Sequence, residues 1–254
     1  MRRVRTGWLN SLALLVASGC GEPLDLGSYL IWYADHEVGD LSQWDGPEGG
    51  ATPAGVGELS DEQAHSGGYS LKLVSPAGSD PAVGAGFDFN ERREAYFSAW
   101  YFIPEVRQTN FGWSILRFWS RGEACSGPED LCDGVDINLR PLPNGDALLY
   151  LFNAEPDVLQ PPVSDPPVYV PLGRWFHIEV LFRRASEKDG RVWVWLDGSP
   201  VYRFDGWRTA EYDNLFWSVS NTCLPSDGSS VVVYVDDAAV SAVPVTPDGE
   251  LHEP

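Results

Sequence analysis

Three polar side chains alternate with aliphatic ones in the stretch VDINLR. Asp136, Asn138 and Arg140 occupy every second position, so in a β-strand they point to one face while the aliphatic residues point to the other. A carboxylate, an amide and a guanidinium offer both donors and acceptors to sugar hydroxyls. The amide and the guanidinium also suit a sugar carboxylate. The stretch therefore predicts a polar, ligand-facing side of a strand.

Two further stretches show the same alternation. WFHIEVLFR leaves His177, Glu179 and Arg183 on its polar face, and RVWVWLD leaves Trp193 and Trp195 on the face opposite its aliphatic residues. Tryptophan rings present flat apolar surfaces with a polar handle, which suits the C–H faces of sugars. If all three strands share one sheet, its outer face is a carbohydrate-binding surface. The alternative for the tryptophans is cover by a loop or an arginine stem.

The same residues suggest candidates for catalysis. Elimination on a uronate polymer needs a group that neutralises the carboxylate, a base for the C5 proton and an acid for the leaving oxygen. The candidates are Asn138, Arg140 and Arg117 as neutralisers, His177 as base, and Tyr150 or Tyr202 as acid. The alternative for His177, which we favour, is a hydrogen-bonded structural role. Alternation places Tyr150 on one face with Leu148 and Phe152, which favours Tyr202. For glycoside hydrolysis, which needs two carboxylates, Asp136 and Glu179 form only a loose pair.

The elements that must position these residues are short. Apolar or alternating runs occur at 69–74, 94–104, 113–119, 135–141, 147–153, 174–184, 191–197, 215–220 and 231–241. Turn sequences such as PNGD, EKDG and DGS separate them, and no run has a helical period. Roughly ten strands at this spacing predict an all-β sandwich of two antiparallel sheets. The proline-rich segment 154–171 is either a stiff loop beside a binding surface or a plain connection.

The charge of the chain restricts its partners. The 254 residues carry a formal net charge of −20, which repels phosphate backbones and makes nucleic acid an unsuitable partner. It also argues against polyanionic sugars unless a local basic patch overrides the field. We expect a monomer with one domain over residues 31–243 and a flexible tail over 244–254.

The first 19 residues resemble a bacterial lipoprotein signal peptide. Arg2, Arg3 and Arg5 precede an apolar run at 12–17, and ASGC follows. The resemblance implies cleavage before Cys20, lipidation of that cysteine, and a tether over residues 20–30. The run is too short to span a membrane, so the lipid would be the only membrane contact. The expected location is the outer membrane or cell surface; an ordinary cleaved signal is the alternative.

Three cysteines follow the candidate lipidation site. Export permits disulfides, and a bond between Cys125 and Cys132 would close the short loop CSGPEDLC. Cys223 could instead pair with either of them, because spacing does not determine the connectivity.

Several motifs, in order, resemble the concanavalin A-like jelly rolls. They are ADHEVGDLSQWD with AHSGGYSLKLV, RWFHIEV with GRVWVWLDGSPV, and the closing VYVDDAAVS. YFSAWYFIPE followed by WSILRFW is most similar to the heparin-lyase-like polysaccharide lyases. The resemblance covers about residues 31–243 and implies a carbohydrate ligand. Arg117, Phe118 and Trp119 stand where those lyases usually have a polar Gln or His. Galactose-binding-type jelly rolls share the opening and closing motifs and are the alternative fold.

The resemblance also implies a structural calcium ion. In the resembled folds Ca²⁺ often ties the first strand to the last, and it requires six to eight oxygen ligands. The candidates are Glu37, Asp237, Asp236 and Asp35. The alternative is that these carboxylates end strand pairing or accept backbone hydrogen bonds.

Three functions are consistent with these patterns. The favoured interpretation is an exported, lipid-anchored protein that binds a polysaccharide on one sheet face without cleaving it. The first alternative is a polysaccharide lyase acting by β-elimination on a uronate-containing glycan. The second is a structural envelope protein without a glycan site.

Overall fold

The computed structural model describes residues 29–44, 46–47, 57–75, 84–89, 92–110, 112–121, 134–153, 166–210 and 214–247. In these residues the chain forms strands and turns but no helix, and so no helix that could cross a membrane. The predicted signal peptide, Cys20, Cys125 and Cys132 lie outside the described residues. Cys223 lies inside them as a buried free thiol.

Fourteen strands occur in the described residues. They are β1 (Leu30–Ala34), β2 (Gly46–Pro47), β3 (Glu58–Ser60), β4 (Ser70–Ser75), β5 (Gly84–Phe89), β6 (Glu94–Phe102), β7 (Trp113–Arg121), β8 (Gly134–Pro141), β9 (Ala147–Asn153), β10 (Trp175–Arg183), β11 (Gly190–Leu196), β12 (Ser199–Trp207), β13 (Asn214–Thr222) and β14 (Val231–Ser241). All pair antiparallel in two sheets. The predicted all-β jelly-roll sandwich is confirmed.

The eight-stranded sheet has the order β12-β11-β10-β6-β14-β4-β3, with β1 added beside β14. The strand β14 changes partner along its length: its first half pairs with β4 and its last residues pair with β1. A bulge at Asp236 and Asp237 marks the change, and Asp237 has a φ of 46°. A bulge re-aims side chains and interrupts regular pairing, and here the β14–β6 register is interrupted between Asp236 and Ala239.

The six-stranded sheet has the order β2-β5-β13-β7-β8-β9. Its inward residues face those of the eight-stranded sheet. Val135, Ile137 and Leu139 of β8 and the alternate residues of β10 all belong to one buried cluster. The rings of Phe118 and Phe182 stack at 4.2 Å between the sheets. Aliphatic alternation in the sequence therefore identifies the inner faces correctly.

One buried amide joins the two sheets. Asn221 is fully buried, and its Nδ2 donates to the backbone oxygens of Leu73 (2.9 Å) and Val231 (3.0 Å) in the eight-stranded sheet. Its Oδ1 accepts the indole N–H of Trp113 at 2.9 Å in the six-stranded sheet. A buried polar group is tolerated when its bonds are made; here those bonds also fix the two sheets relative to each other.

Candidate functional site

The structure divides the predicted carbohydrate-binding residues between two surfaces. The strand β8 belongs to the six-stranded sheet, whereas β10 and β11 belong to the eight-stranded sheet. Because the aliphatic faces of all three strands meet in the shared core, their polar faces point in opposite directions. The expectation of one shared sheet is therefore wrong. One outer face carries Asp136, Asn138 and Arg140, and the other carries His177, Glu179, Arg183, Trp193 and Trp195.

Because of this separation, the residues predicted to act in catalysis do not form one active site. Tyr202 lies in the core and donates its hydroxyl to the backbone oxygen of Leu149 at 2.6 Å. His177 is 2% exposed on the outer face of the eight-stranded sheet, and burial lowers its pKa to about 4. It therefore cannot act together with Asn138 and Arg140. Asp136 and Glu179 likewise lie on opposite outer faces and cannot flank one glycosidic bond.

Protein groups cover the residues predicted on the eight-stranded sheet. Glu179 is buried, and its carboxylate accepts the backbone N–H of Val245 from the segment after β14. The Arg203 guanidinium lies 4.1 Å from the centroid of the Trp193 ring. Trp195 packs near Tyr96, with ring centroids 6.2 Å apart. Of the arrangements considered for the tryptophans, cover by an arginine side chain is the one found at Trp193.

The outer face of the six-stranded sheet carries a continuous set of polar and aromatic side chains. We call it the polar face. The residues are Ser114, Arg117 and Trp119 of β7, Asp136, Asn138 and Arg140 of β8, Leu148, Tyr150 and Phe152 of β9, and Phe216, Ser218 and Ser220 of β13. Their sequence neighbours form the core, which sets this orientation.

Asp136 organises one part of the polar face. Its Oδ2 accepts the hydroxyl of Ser114 at 3.0 Å. Its Oδ1 accepts the Nε–H of Arg117 at 3.2 Å and the indole N–H of Trp119 at 3.0 Å. The Arg117 guanidinium also stacks on the Trp119 ring at 4.0 Å. Asp136 is therefore a fixed acceptor that orients its neighbours rather than a free base.

Tyr150, Asn138 and Arg140 form the second part. Tyr150 lies directly opposite Asn138 in the β8–β9 pair, and the Asn138 side chain hydrogen-bonds to the phenol. The Arg140 guanidinium lies 5.1 Å from the Tyr150 ring centroid. Burial raises the pKa of Tyr150, whereas the Asn138 bond and the Arg140 charge act in the opposite direction. A cation, an amide and a phenol thus lie side by side.

This cluster has unused binding capacity. Arg140 is exposed and has no acidic partner in the described part of the chain. Asn138 is 4% exposed, and its Oδ1 has no hydrogen-bond partner among the residues described. Gly112 covers the cluster closely, because a Cβ there would lie 2.6 Å from the Tyr150 phenol oxygen. A native acceptor left unpaired in this way calls for a hydrogen-bond donor, such as a hydroxyl group.

Exposed aromatic rings lie near the cluster at the sheet edge. Phe152 is 39% exposed, two residues along β9 from Tyr150. Tyr169 is 51% exposed, and its backbone forms an isolated bridge with Leu148. Residues 166–171 of the proline-rich segment therefore run along the edge of the polar face, while 154–165 lie outside the described residues.

Asp236 and Asp237, two of the predicted calcium ligands, bind the loop before β4. Asp236 Oδ2 accepts the backbone N–H groups of His65 (2.8 Å) and Ser66 (3.2 Å). Asp237 Oδ1 accepts the Ser66 hydroxyl at 2.9 Å, and the His65 ring nitrogen lies 2.7 Å from Asp237 Oδ2. His36 Nδ1 lies 3.3 Å from Asp236. Protein groups thus engage both carboxylates.

Glu37 and Asp35 are held in a similar way. Glu37 Oε1 accepts the backbone N–H groups of Gly68 and Tyr69, both at 2.8 Å, and Asp35 accepts the Gln43 amide at 3.1 Å. Among the described residues, no group of three or more His, Cys, Asp and Glu side chains is arranged to hold a metal ion. As arranged, the four carboxylates do not form a calcium cage. Calcium stays a prediction that requires them to exchange protein donors for the ion.

Several solved structures share this fold, and two of them are compared with this chain as follows. The endo-β-1,4-glucuronan lyase of the fungus Trichoderma reesei has a TM-score of 0.55 and 17% identity, covering 84% of this chain and 96% of its own. The cellulose induced protein Cip1 has a TM-score of 0.59 and 17% identity, covering 84% and 98%. At this identity the likeness shows the jelly-roll fold alone. No protein-family model matches the chain, and no curated protein matches it significantly.

Proposed function

We propose that the polar face binds a uronate-containing polysaccharide and that the chain cleaves it as a lyase. The carrying observation is the cluster of Arg140, Asn138 and Tyr150, in which an exposed guanidinium lies beside an amide and a phenol. These are the groups that β-elimination requires. The similarity in fold to a glucuronan lyase supports the same class of substrate.

The chemistry follows from the positions of the three groups. The Arg140 guanidinium and an N–H of the Asn138 Nδ2 group bind the uronate carboxylate and stabilise the negative charge that develops there as the C5 proton leaves. Tyr150, as a phenolate, takes that proton. The C4–C5 double bond forms, the bond between C4 and the glycosidic oxygen breaks, and the phenol returns its proton to that oxygen. Tyr150 thus acts first as the base and then as the acid, and the proton that it takes from C5 is the one that it delivers to the leaving oxygen.

The exposed aromatic rings supply binding energy next to the reacting sugar. Phe152 and Tyr169 offer apolar ring faces at the edge of the polar face, and such faces pack on the C–H surfaces of sugars. The net charge of −20 opposes a polyanion at long range. At physiological ionic strength this repulsion is screened beyond about 8 Å, so the contact with Arg140 decides binding.

Carbohydrate binding without cleavage is the second candidate. It is favoured by the raised pKa of Tyr150, which keeps the phenol protonated and a weak base at neutral pH. It is also favoured by the absence of a histidine from the described part of the polar face, because histidine is the most frequent general base. In this case the same residues bind the uronate carboxylate and no bond breaks.

A glycan panel separates the two candidates. The purified chain is incubated with glucuronan, polygalacturonate, alginate and cellulose at physiological salt. The readouts are retention of the protein on each glycan and absorbance of the unsaturated uronate. Growth of absorbance on a uronate polymer supports the lyase. Retention without product supports binding alone, and neither signal on any glycan overturns both.

We also propose that the chain is exported and anchored to the outer membrane or cell surface through a lipid on Cys20. The support is the sequence ASGC after a short apolar run. Metabolic labelling with a radioactive fatty acid tests this, with Cys20→Ala as the control. Label in the parent chain and none in the variant is the expected result; an unlabelled parent contradicts it.

A further inference from the structure

A depression of about 390 Å³ lies on the other side of the sandwich from the polar face. It is on the outer face of the eight-stranded sheet, where β10, β11 and β12 pair. Three arginines, two aspartates and a tryptophan line it: Arg183, Arg191, Arg203, Asp189, Asp205 and Trp193. We call it the arginine pocket. The chain has only 17 Lys and Arg residues and a net charge of −20, so a depression with more arginines than aspartates in its lining is locally rich in positive charge, although Glu94 lies 3.8 Å from Arg191.

The carboxylates in the pocket do not use all the arginine donors. Asp205 lies 3.3 Å from Arg191 and 3.5 Å from Arg203, so two guanidinium groups share it. Asp189 lies 3.7 Å from Arg183 and also accepts from Arg93. Each guanidinium has five N–H donors. Exposed pairs of this kind contribute little to stability, so a ligand anion can take donors from them at small cost.

Trp193 supports two arginines of the pocket. Its indole N–H donates to Asp205 Oδ1 at 3.2 Å, which fixes the ring. The guanidinium groups of Arg203 and Arg191 lie 4.1 and 5.7 Å from the ring centroid. The fixed ring holds the guanidinium groups that lie over it, and their remaining N–H groups offer donors to the anionic group of a sugar.

We propose that the arginine pocket is a second glycan-binding site, which holds an acidic sugar unit by its carboxylate or sulfate group. It is separated from the polar face by the whole sandwich, so it retains polymer rather than contributing to cleavage. The site does not depend on the lyase activity: it binds acidic sugars whether or not the polar face cleaves them.

Calorimetry on the whole chain tests the pocket. The parent carries Tyr150→Phe and Arg140→Ala, so that the polar face neither cleaves nor attracts the probe. The probes are tetragalacturonate, a sulfated galactan tetrasaccharide and neutral cellotetraose. Arg203→Ala removes an arginine whose side chain is 70% exposed, so the fold is expected to persist. Arg174 directly precedes β10, is 63% exposed and pairs with Asp197, so Arg174→Ala is the matched control.

The expected result is binding of at least one anionic probe, with a Kd raised about tenfold by Arg203→Ala, from the loss of a charge-assisted hydrogen bond. Arg174→Ala leaves Kd unchanged and cellotetraose does not bind. Preference for one anionic probe identifies carboxylate or sulfate as the group. The proposal is overturned if neither anionic probe binds, if Arg203→Ala binds as tightly as the parent, or if cellotetraose binds equally well. Absorbance assays on the unmodified chain report the lyase separately.

Discussion

The side chains of Asn138 and Tyr150 meet across the β8–β9 pair, and the amide hydrogen-bonds to the phenol on the polar face. This bond and the nearby Arg140 charge both favour the phenolate, whereas burial favours the phenol. Burial is the larger effect, so the pKa of Tyr150 is raised from its ordinary value. A proton on this oxygen is therefore the main barrier to its action as a base.

The rate of cleavage should rise with pH. Because the base is a phenolate whose pKa is raised, its fraction at neutral pH is small, and it grows about tenfold for each pH unit below that pKa. We expect kcat/KM on a uronate polymer to rise steadily from pH 6 to pH 9, measured by unsaturated-uronate absorbance. A plateau reached below pH 7 would assign the base role to another group.

Glu179 should make the fold less stable as the pH rises from about 4.5 to about 7. Burial raises its pKa from 4.5 to about 7, so the folded chain keeps a proton that the unfolded chain loses between these values. Stability contributed by the neutral acid is therefore lost as pH rises from about 4.5 to 7. We expect Glu179→Gln, which keeps the acceptor for Val245, to raise the free energy of unfolding by about 2 to 3 kcal/mol at pH 8. At pH 4 the variant should match the parent in urea unfolding.

His177 should have the opposite pH dependence. Burial lowers its pKa from 6.5 to about 4, so the unfolded chain binds a proton that the folded chain excludes in this range. Stability is therefore lost as pH falls from 6.5 toward 4. We expect His177→Phe, compared with the parent, to gain about 2 to 3 kcal/mol on going from pH 7.5 to pH 4.5.

The two groups should offset each other in the parent chain. They lie two residues apart on β10, and their pKa shifts are similar in size and opposite in sign. Urea unfolding from pH 4.5 to 7 therefore shows the His177 effect alone in Glu179→Gln and the Glu179 effect alone in His177→Phe. Single variants with the same pH profile as the parent would show that neither group is buried as the structure describes.

Calcium binding at the β1–β14 junction has a direct test. If Glu37 and Asp237 exchange their protein donors for Ca²⁺, the ion stabilises the folded chain by mass action. We expect a higher Tm in about 1 mM Ca²⁺ than in EDTA, a range suited to extracellular modules. Glu37→Gln should remove the difference. Equal Tm values in both buffers would leave the carboxylates as hydrogen-bond acceptors only.

Much of the fold follows from local sequence. Alternation in VDINLR and WFHIEVLFR identifies the inner face of each strand, because only one face of each is aliphatic. The strand β12 was not among the predicted runs, although DG before it is a strong hairpin signal. Asp197 and Gly198 have φ values of 48° and 75°, as a type I′ turn requires. Pro200 and the charged Arg203 interrupt the apolar pattern of β12. They are tolerated because the strand lies at a sheet edge, where only some positions are buried.

The candidate site was harder to predict, because it depends on which strands are neighbours. Alternation shows that Asp136 and Trp193 point away from the core, but it does not assign their strands to sheets. The β8–β9 register was also needed to bring Tyr150 opposite Asn138. Sharing a face with Leu148 and Phe152 suggested burial for Tyr150. In the structure that face is the outer one, and Leu149 and Leu151 fill the core instead.

The most direct test of the account is the rate of unsaturated-uronate formation from glucuronan by the purified chain and by Tyr150→Phe. Tyr96→Phe is the matched control, since Tyr96 is also half-buried with a raised pKa but lies on the opposite sheet. The proposed lyase mechanism predicts product from the parent and from Tyr96→Phe, and a rate at least about 100-fold lower from Tyr150→Phe, the usual contribution of a positioned acid–base group. Product formed equally by Tyr150→Phe would contradict it.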